Sequence, residues 1–355
     1  MFFQKNGGKI WRFEKKPYLC SVVHNYNTKT SYFLTLSPPS HYAGTCYRLP
    51  PYNPGHHINL TQTPLMIKIN DISFSYPHGL RALQSATGIL EPGIHLLLGE
   101  NGAGKTTLLK VMAGLLNPSE GKVLIDGKPV SGHSPEVMRS LFFLPETMEI
   151  PFATFDELAR YHSPMYPLFS GEDFAQNLQD FGIDASTRLA DCSLGTRRKG
   201  LIAYALALHT PLLLMDEPAN GLDINSKKAM RAMMARCVAP EQTVVVSTHN
   251  IGDLMELYDG LMLLHGGKLE VCLPTYTLAC RLECVAASEP IPDALYWEMS
   301  AGRYLSLMPN PSGEPASLDY SLLYSALMST AAPQVLAAAN RTDHLSHPVE
   351  KVHES

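Results

Sequence analysis

The chain has no apolar run long enough to cross a bilayer. Its longest stretch without a charge near the centre, residues 200–215, is 16 residues and is broken by His209, Thr210 and Pro211; a membrane-spanning helix needs about 18 or more. Work at a membrane is therefore expected to need a separate partner. The amino terminus lacks a compact apolar segment with a small-residue cleavage site, so no secretory signal is expected. Cysteine pairing is missing too. The seven cysteines (20, 46, 192, 237, 272, 280 and 284) are scattered, odd in number and contain no CxxC, which suits a reducing compartment better than a disulfide framework. Cys280 and Cys284 lie four apart with no second pair beside them, and read as reduced thiols. The 14 histidines include His56-His57 but no HExxH, so no zinc-type site is expected. Basic residues are scarce after the first 65. Residues 1–65 hold seven Lys/Arg against one acid, Glu14, so the whole-chain charge of −5 leaves −11 on residues 66–355. An acidic body is a poor match for phosphate backbones, and nucleic-acid binding is not expected. The triplet Arg197-Arg198-Lys199 reads as an exposed helix face.

What is present is material for a large core: 45% of the 355 residues are hydrophobic and 17% charged. Residues 1–65 keep neither the helical nor the strand period and read as a disordered or mis-annotated extension, with translation expected to start at Met66. A basic arm touching anionic lipid or another chain is the other reading. After Met66, strands and helices alternate. Residues 67–74 alternate as a strand does, and residues 93–98 form a short buried strand running into a glycine turn. Helical periodicity follows through Leu108, Leu109, Met112, Leu115 and Leu116. Asp126-Gly127 marks a tight hairpin. Thr154…Glu157 and Ser170…Asp173 have capping-box spacing, the second leading into an apolar helix face of Phe174, Leu178 and Phe181. Residues 212–215 and 243–247 are unbroken apolar runs of strand length, which points to a parallel sheet covered on both faces. Met230, Met233 and Met234 read as core. Residues 268–308 look like short strands and turns, residues 317–328 an amphipathic helix, and the tail beyond about Asn340 frayed.

The strongest chemical signal is Gly99-Glu100-Asn101-Gly102-Ala103-Gly104-Lys105-Thr106, a full G-x-x-x-x-G-K-[ST] match between a strand and a helix. Its glycines let successive backbone N–H groups curl around phosphate oxygens, and the helix behind adds its positive end. Lys105 is expected to reach the β- and γ-phosphates and Thr106 to hold Mg²⁺. The apolar run 212–215 then ends in Asp216-Glu217, which puts two acids beside those phosphates. Asp216 is expected to bind Mg²⁺, and Glu217 to polarise the attacking water as general base.

With these motifs the chain resembles an ABC-transporter nucleotide-binding subunit from about Met66 to about Arg341. Tyr76, 23 residues before Gly99, matches the family's adenine-stacking aromatic. Cys192-Ser193-Leu194-Gly195-Thr196 looks like the family signature, Gly221-Leu222-Asp223 the loop after the catalytic acid, and His249 in Ser247-Thr248-His249 the switch histidine that contacts the γ-phosphate. The order and spacing make the match specific. The resemblance implies an α/β P-loop NTPase of the RecA-like kind, with a mostly parallel sheet, an N-terminal antiparallel β subdomain and a small helical subdomain at about 147–195. The ATPase domain would span 66–265, an accessory region 266–340 and a flexible tail 341–355. It implies ATP and Mg²⁺ as ligands, with Asn101, Gly102, Thr107 and Asp223 joining the nucleotide contacts.

The signature departs from the family pattern at Leu194, normally glycine, and Thr196, normally glutamine. Ser193 and Gly195 remain to grip a γ-phosphate. Glu146 stands where the family has a glutamine that helps hold Mg²⁺ and relays contact with the membrane partner. A carboxylate there adds negative charge beside ATP, so slower basal turnover is expected. The family binds two ATP between two head-to-tail subunits; one motif set per chain implies a homodimer or heterodimer. The implied role is ATP hydrolysis on the cytoplasmic face, coupled to a separately encoded permease. The compact 146–193 stretch and the extra region after His265 look most like exporter-type ATPases with six-helix permeases, the ABC-2 kind. The alternative is a soluble ABC-type ATPase working in assembly or regulation with cytosolic partners.

Overall fold

The computed structural model describes residues 65–341 apart from 78, 80, 149 and 250–256, together with strand backbone in the first 48 residues. There, β1 (Phe2–Asn6) pairs antiparallel with β2 (Lys9–Phe13), and β4 (Thr30–Thr35) pairs antiparallel with β3 (Cys20–Asn25) on one side and β5 (Tyr47–Arg48) on the other. The expectation for the 1–65 extension falls largely on residues outside the described set, as does that for the tail after 341.

The strands β6 (Ile67–Ser75), β7 (Arg81–Leu90), β9 (Glu120–Ile125) and β10 (Lys128–Pro129) make a four-stranded antiparallel sheet, β9 and β10 being joined by the Asp126-Gly127 turn. The central sheet contains β8 (Gly93–Leu98), β11 (Leu141–Leu144), β12 (Leu212–Asp216), β13 (Thr243–Thr248), β14 (Gly260–His265) and β15 (Lys268–Pro274), in the order β11-β12-β13-β8-β14-β15. All neighbours are parallel except β14 and β15.

The unbroken apolar runs have a direct cause: β12 and β13 are buried at every position, because both faces of the sheet are covered. Alternate residues feed separate cores. Leu213, Met215, Val244 and Val246 pack towards the helices α3 (Phe155–His162), α4 (Gly171–Asp180), α5 (Leu194–Ala207) and α6 (Ile224–Cys237). Leu212, Leu214 and Val245 pack the other way, in one core with the helices α1 (Lys105–Met112) and α2 (Pro135–Ser140) and the antiparallel sheet. Met230, Met233 and Met234 are fully buried, as expected of core. Thr154 and Ser170 cap α3 and α4, accepting from the Glu157 and Asp173 N–H groups at 3.2 and 3.1 Å.

Four elements depart from the sequence reading. α1 stops at Met112 and not at Leu116, because Gly114 turns left-handed (φ 71°) and the chain closes on itself, the Gly114 and Leu115 N–H groups donating to the Val111 and Lys110 carbonyls at 3.0 and 2.8 Å. A helix, α7 (Thr275–Arg281), lies inside the stretch read as strands and turns; Pro274 begins it without any side-chain cap, so its start carries no sequence signal. The remainder of that region is the antiparallel sheet of β16 (Leu282–Ala287), β17 (Tyr296–Ser300) and β18 (Arg303–Pro309). The amphipathic helix begins late, as α8 (Tyr320–Leu327), because the Asp319 carboxylate accepts the Ser321 and Leu322 N–H groups at 2.8 and 3.0 Å. A last helix, α9 (Ala332–Ala339), escaped the reading; the Arg281 guanidinium and the Asn340 amide tie its end to α7 and β15.

Candidate functional site

Register brings the chemistry together. Asp216 pairs with Ser247 across β12 and β13, Thr248 with Leu98 across β13 and β8, and Leu144 with Met215 across β11 and β12. The carboxyl ends of four strands therefore deliver the 99–106 loop, Glu146, Asp216-Glu217 and His249 to one rim. At Gly104 the backbone takes φ 105°, and a Cβ would lie 2.5 Å from the Ala82 carbonyl. That position needs glycine for both space and conformation. α1 starts immediately behind it with no side-chain cap, leaving its amino end to an anion.

Lys105 is buried. Its ammonium donates to the Gly99 and Glu100 carbonyls at 2.7 and 3.3 Å and lies 3.5 Å from Glu217 Oε1. The loop thus cradles its own lysine, and the three oxygens mark where the charge is held. Asp216 is buried under two hydroxyls: Thr106 donates to Oδ2 at 2.8 Å and Ser247 to Oδ1 at 2.6 Å. Ser247 Oγ in turn accepts the Glu217 N–H at 2.9 Å. Glu217 sits at φ +48°, left-handed for a non-glycine residue, with His249 Nδ1 3.0 Å from Oε2. Strained backbone of this kind costs about 1–3 kcal/mol and persists where neighbours hold it.

The other site residues lie around this rim. Glu146, exposed at the end of β11, accepts from Asn220 Nδ2 at 2.8 Å. Tyr76 is edge-on to Phe74, and its hydroxyl is 3.1 Å from Thr107 Oγ1. Asp223 caps α6, and hydrogen bonds from the Ser226 hydroxyl and N–H, then Lys199, hold its carboxyl well below the usual range. Ser193 caps α5, its Oγ accepting the Thr196 N–H at 3.0 Å. Gly195 lies in the first turn of that helix. Asn101 and Gly102 are exposed at the loop's crest.

The reading of Arg197-Arg198-Lys199 as a solvated face needs correction. Lys199 pairs with Asp223 at 3.4 Å, and Arg198 turns inward onto the loops after β11 and β12. Burial there lowers the guanidinium's pKa against the pull of Glu146, Asp216 and Glu217. Sequence reasoning missed Ser247, Asn220 and this role of Arg198. Ser247 stood inside a motif read only for its histidine, and Arg198 makes its contacts across turns that spacing cannot foresee.

Among the described residues, no cluster of three or more His, Cys, Asp or Glu could hold a metal unaided. The Thr106 hydroxyl and Asp216 carboxylate are hard oxygen donors within 2.8 Å of each other. This pair suits Mg²⁺, which takes one or two protein oxygens and fills its octahedron with phosphate and water.

The fold and this rim define a P-loop ATPase. Residues 85–220 match the family model described as ABC transporter. The chain is 31% identical over 225 residues to an ABC transporter ATP-binding protein of Listeria monocytogenes (serotype 4b, strain F2365), a match covering 58% of this chain and 80% of that one. Against the ABC transporter ATP-binding protein NatA of Bacillus subtilis (strain 168) it is 31% identical over 199 residues, covering 54% and 80%. A dimeric ATP-binding cassette solved in a post-hydrolysis state, bound to ADP and Pi, aligns with a TM-score of 0.51 at 25% identity over 59% of this chain and 98% of that one. The chain belongs to the ATP-binding subunits of ABC transporters and hydrolyses ATP.

Proposed function

We propose that this subunit dimerises head to tail around two ATP molecules and powers a separately encoded membrane permease, most like the ABC-2 exporter type. The observation that carries the dimer is a split of labour within one chain. The rim of Lys105, Asp216, Glu217 and His249 holds every group needed on one side of a nucleotide. Ser193, in contrast, is exposed at the start of α5 with its hydroxyl turned back on Thr196. In a head-to-tail pair Ser193 and Gly195 close over the partner's γ-phosphate.

In that arrangement Tyr76 stacks on adenine, and the N–H groups of the 99–106 loop and α1 wrap the phosphates, joined by Asn101, Gly102, Thr106 and Thr107. Lys105 exchanges the Gly99 and Glu100 carbonyls for phosphate oxygens. Thr106, Asp216 and Glu146 would hold Mg²⁺, which would supply charge neutralisation at the β- and γ-phosphates. Glu217 takes the proton of the attacking water, and His249, 3.0 Å from its carboxylate, orients both the base and the γ-phosphate. Asp223 contributes to the nucleotide contacts across the interface. The export reading rests on the accessory sheet and helices after His265 and the compact helical region before Ser193. Cytoplasmic placement follows from the permease partnership.

The test is a pull-down of the full chain from detergent-solubilised membranes of its own organism, with partners identified by mass. A stoichiometric multi-span protein establishes the permease coupling. Soluble partners alone, with the membranes well extracted, move the assignment to assembly or regulation.

A further inference from the structure

We infer that Arg198 is a positioning residue that clamps the two loops carrying Glu146 and Glu217 to the signature helix and so sets where the general base stands. Its side chain leaves the second turn of α5 and points under the catalytic rim. Nε donates to the Pro218 carbonyl at 3.0 Å. One terminal nitrogen donates to the Glu217 carbonyl and reaches the Asp216 carbonyl at 3.3 Å, and the other donates to the Glu146 carbonyl. The acceptors are backbone oxygens of two loops that leave adjacent parallel strands, β11 and β12. One planar group thus fastens both loops to a third element.

The Glu217 peptide shows what the clamp achieves. Its φ of +48° is unfavourable for a glutamate, yet its N–H is tied to Ser247 Oγ at 2.9 Å and its carbonyl to Arg198. Releasing the second tie lets the backbone relax towards an ordinary conformation and swings the carboxylate away from His249. The acceptors fan out over three directions, which suits a guanidinium with its five fixed donors; an ammonium offers one nitrogen and cannot span them. Arg198 shares its helix with Ser193 and Gly195, so displacement of that helix reaches the chain's own base through this side chain.

This inference rests on Glu217 being the general base. The experiment measures steady-state ATP turnover of the full chain carrying Arg198→Ala, Arg198→Lys or Glu217→Gln. Affinity for a fluorescent ATP analogue without divalent metal and thermal melting are read on the same proteins. Arg198→Ala is expected to lower kcat by about 100-fold, the scale of a base displaced by roughly 1 Å, with analogue affinity little changed. Millimolar guanidinium should restore part of that turnover, a response no general loss of stability gives. Arg198→Lys should stay folded and remain slow. Full-rate turnover by Arg198→Lys or by Arg198→Ala overturns the clamp, as does a loss that guanidinium leaves untouched while affinity and melting fall together. If Glu217→Gln still turns over, the base assignment itself has failed; if it is dead while Arg198→Ala is fast, only the clamp has.

Discussion

Replacing Ser247 by alanine tests the geometry of the catalytic rim most directly. The hydroxyl is fully buried; it donates to Asp216 Oδ1 at 2.6 Å and accepts the Glu217 N–H at 2.9 Å. The substitution removes a hydrogen bond to a carboxylate, worth about 1.5–3 kcal/mol, and strands a buried N–H at a further cost of about 1–3 kcal/mol. Water can reclaim some of this, since Glu217 itself is only partly buried, and a net loss of about 3 kcal/mol is expected. For a domain of this size that lowers the melting temperature by roughly 6–12 °C. Turnover should fall further than stability implies, because Asp216 would keep one of its two hydroxyl partners and the Glu217 backbone would lose a tie. Thermal melting and steady-state ATP hydrolysis on the same preparation read both effects. Melting within about 1 °C of the parent, the range of an ordinary surface substitution, would refute the reasoning.

Gly104→Ala places a Cβ 2.5 Å from the Ala82 carbonyl at φ 105°, so it should abolish ATP binding in a fluorescent-analogue titration and destabilise the fold by about 1–3 kcal/mol. Glu146→Gln removes a negative charge beside ATP and should raise basal turnover and shift its Mg²⁺ dependence; an unchanged rate and dependence would show that the carboxylate is inert. His162 has its pKa pushed down to about 4 by burial, against 6.5 for the free group, while Nδ1 sits 2.8 Å from the Tyr204 hydroxyl. Between those values the unfolded chain binds the extra proton, so stability is full above pH 6.5 and is lost as pH falls towards 4, by up to about 3 kcal/mol. Melting curves from about pH 7.5 to about pH 4.5 check the sign; His162→Gln should flatten that part of the profile, and an equal slope in both proteins would assign the pH dependence elsewhere.

Some of this protein was legible residue by residue. The phosphate loop is contiguous and needs particular residue types at fixed spacing, so Gly104, Lys105 and Thr106 announce themselves. Runs buried on both faces announce a covered parallel sheet, and Thr154 and Ser170 announce helix starts through local caps. The limits are equally local in origin. α7 has no capping side chain, and the apolar period that continues through Leu115 and Leu116 hides the stop that Gly114 imposes on α1. Arg198 sits in a run of three basic residues that looks solvated, and its acceptors are carbonyls whose positions no residue type reveals.

The sequence by itself determined the chemical inventory: which groups can hold phosphate, cation, water and proton, and in what order along the chain. Tertiary structure decided their convergence. The register of β8, β11, β12 and β13 sets Asp216 beside Ser247 and brings Lys105 within 3.5 Å of Glu217. It also turned Arg198 inward. A strand's composition states that it will be buried, but its register and the direction of a side chain at its rim depend on segments well separated along the chain, Glu146 from Arg198 and Gly93 from Thr243 among them.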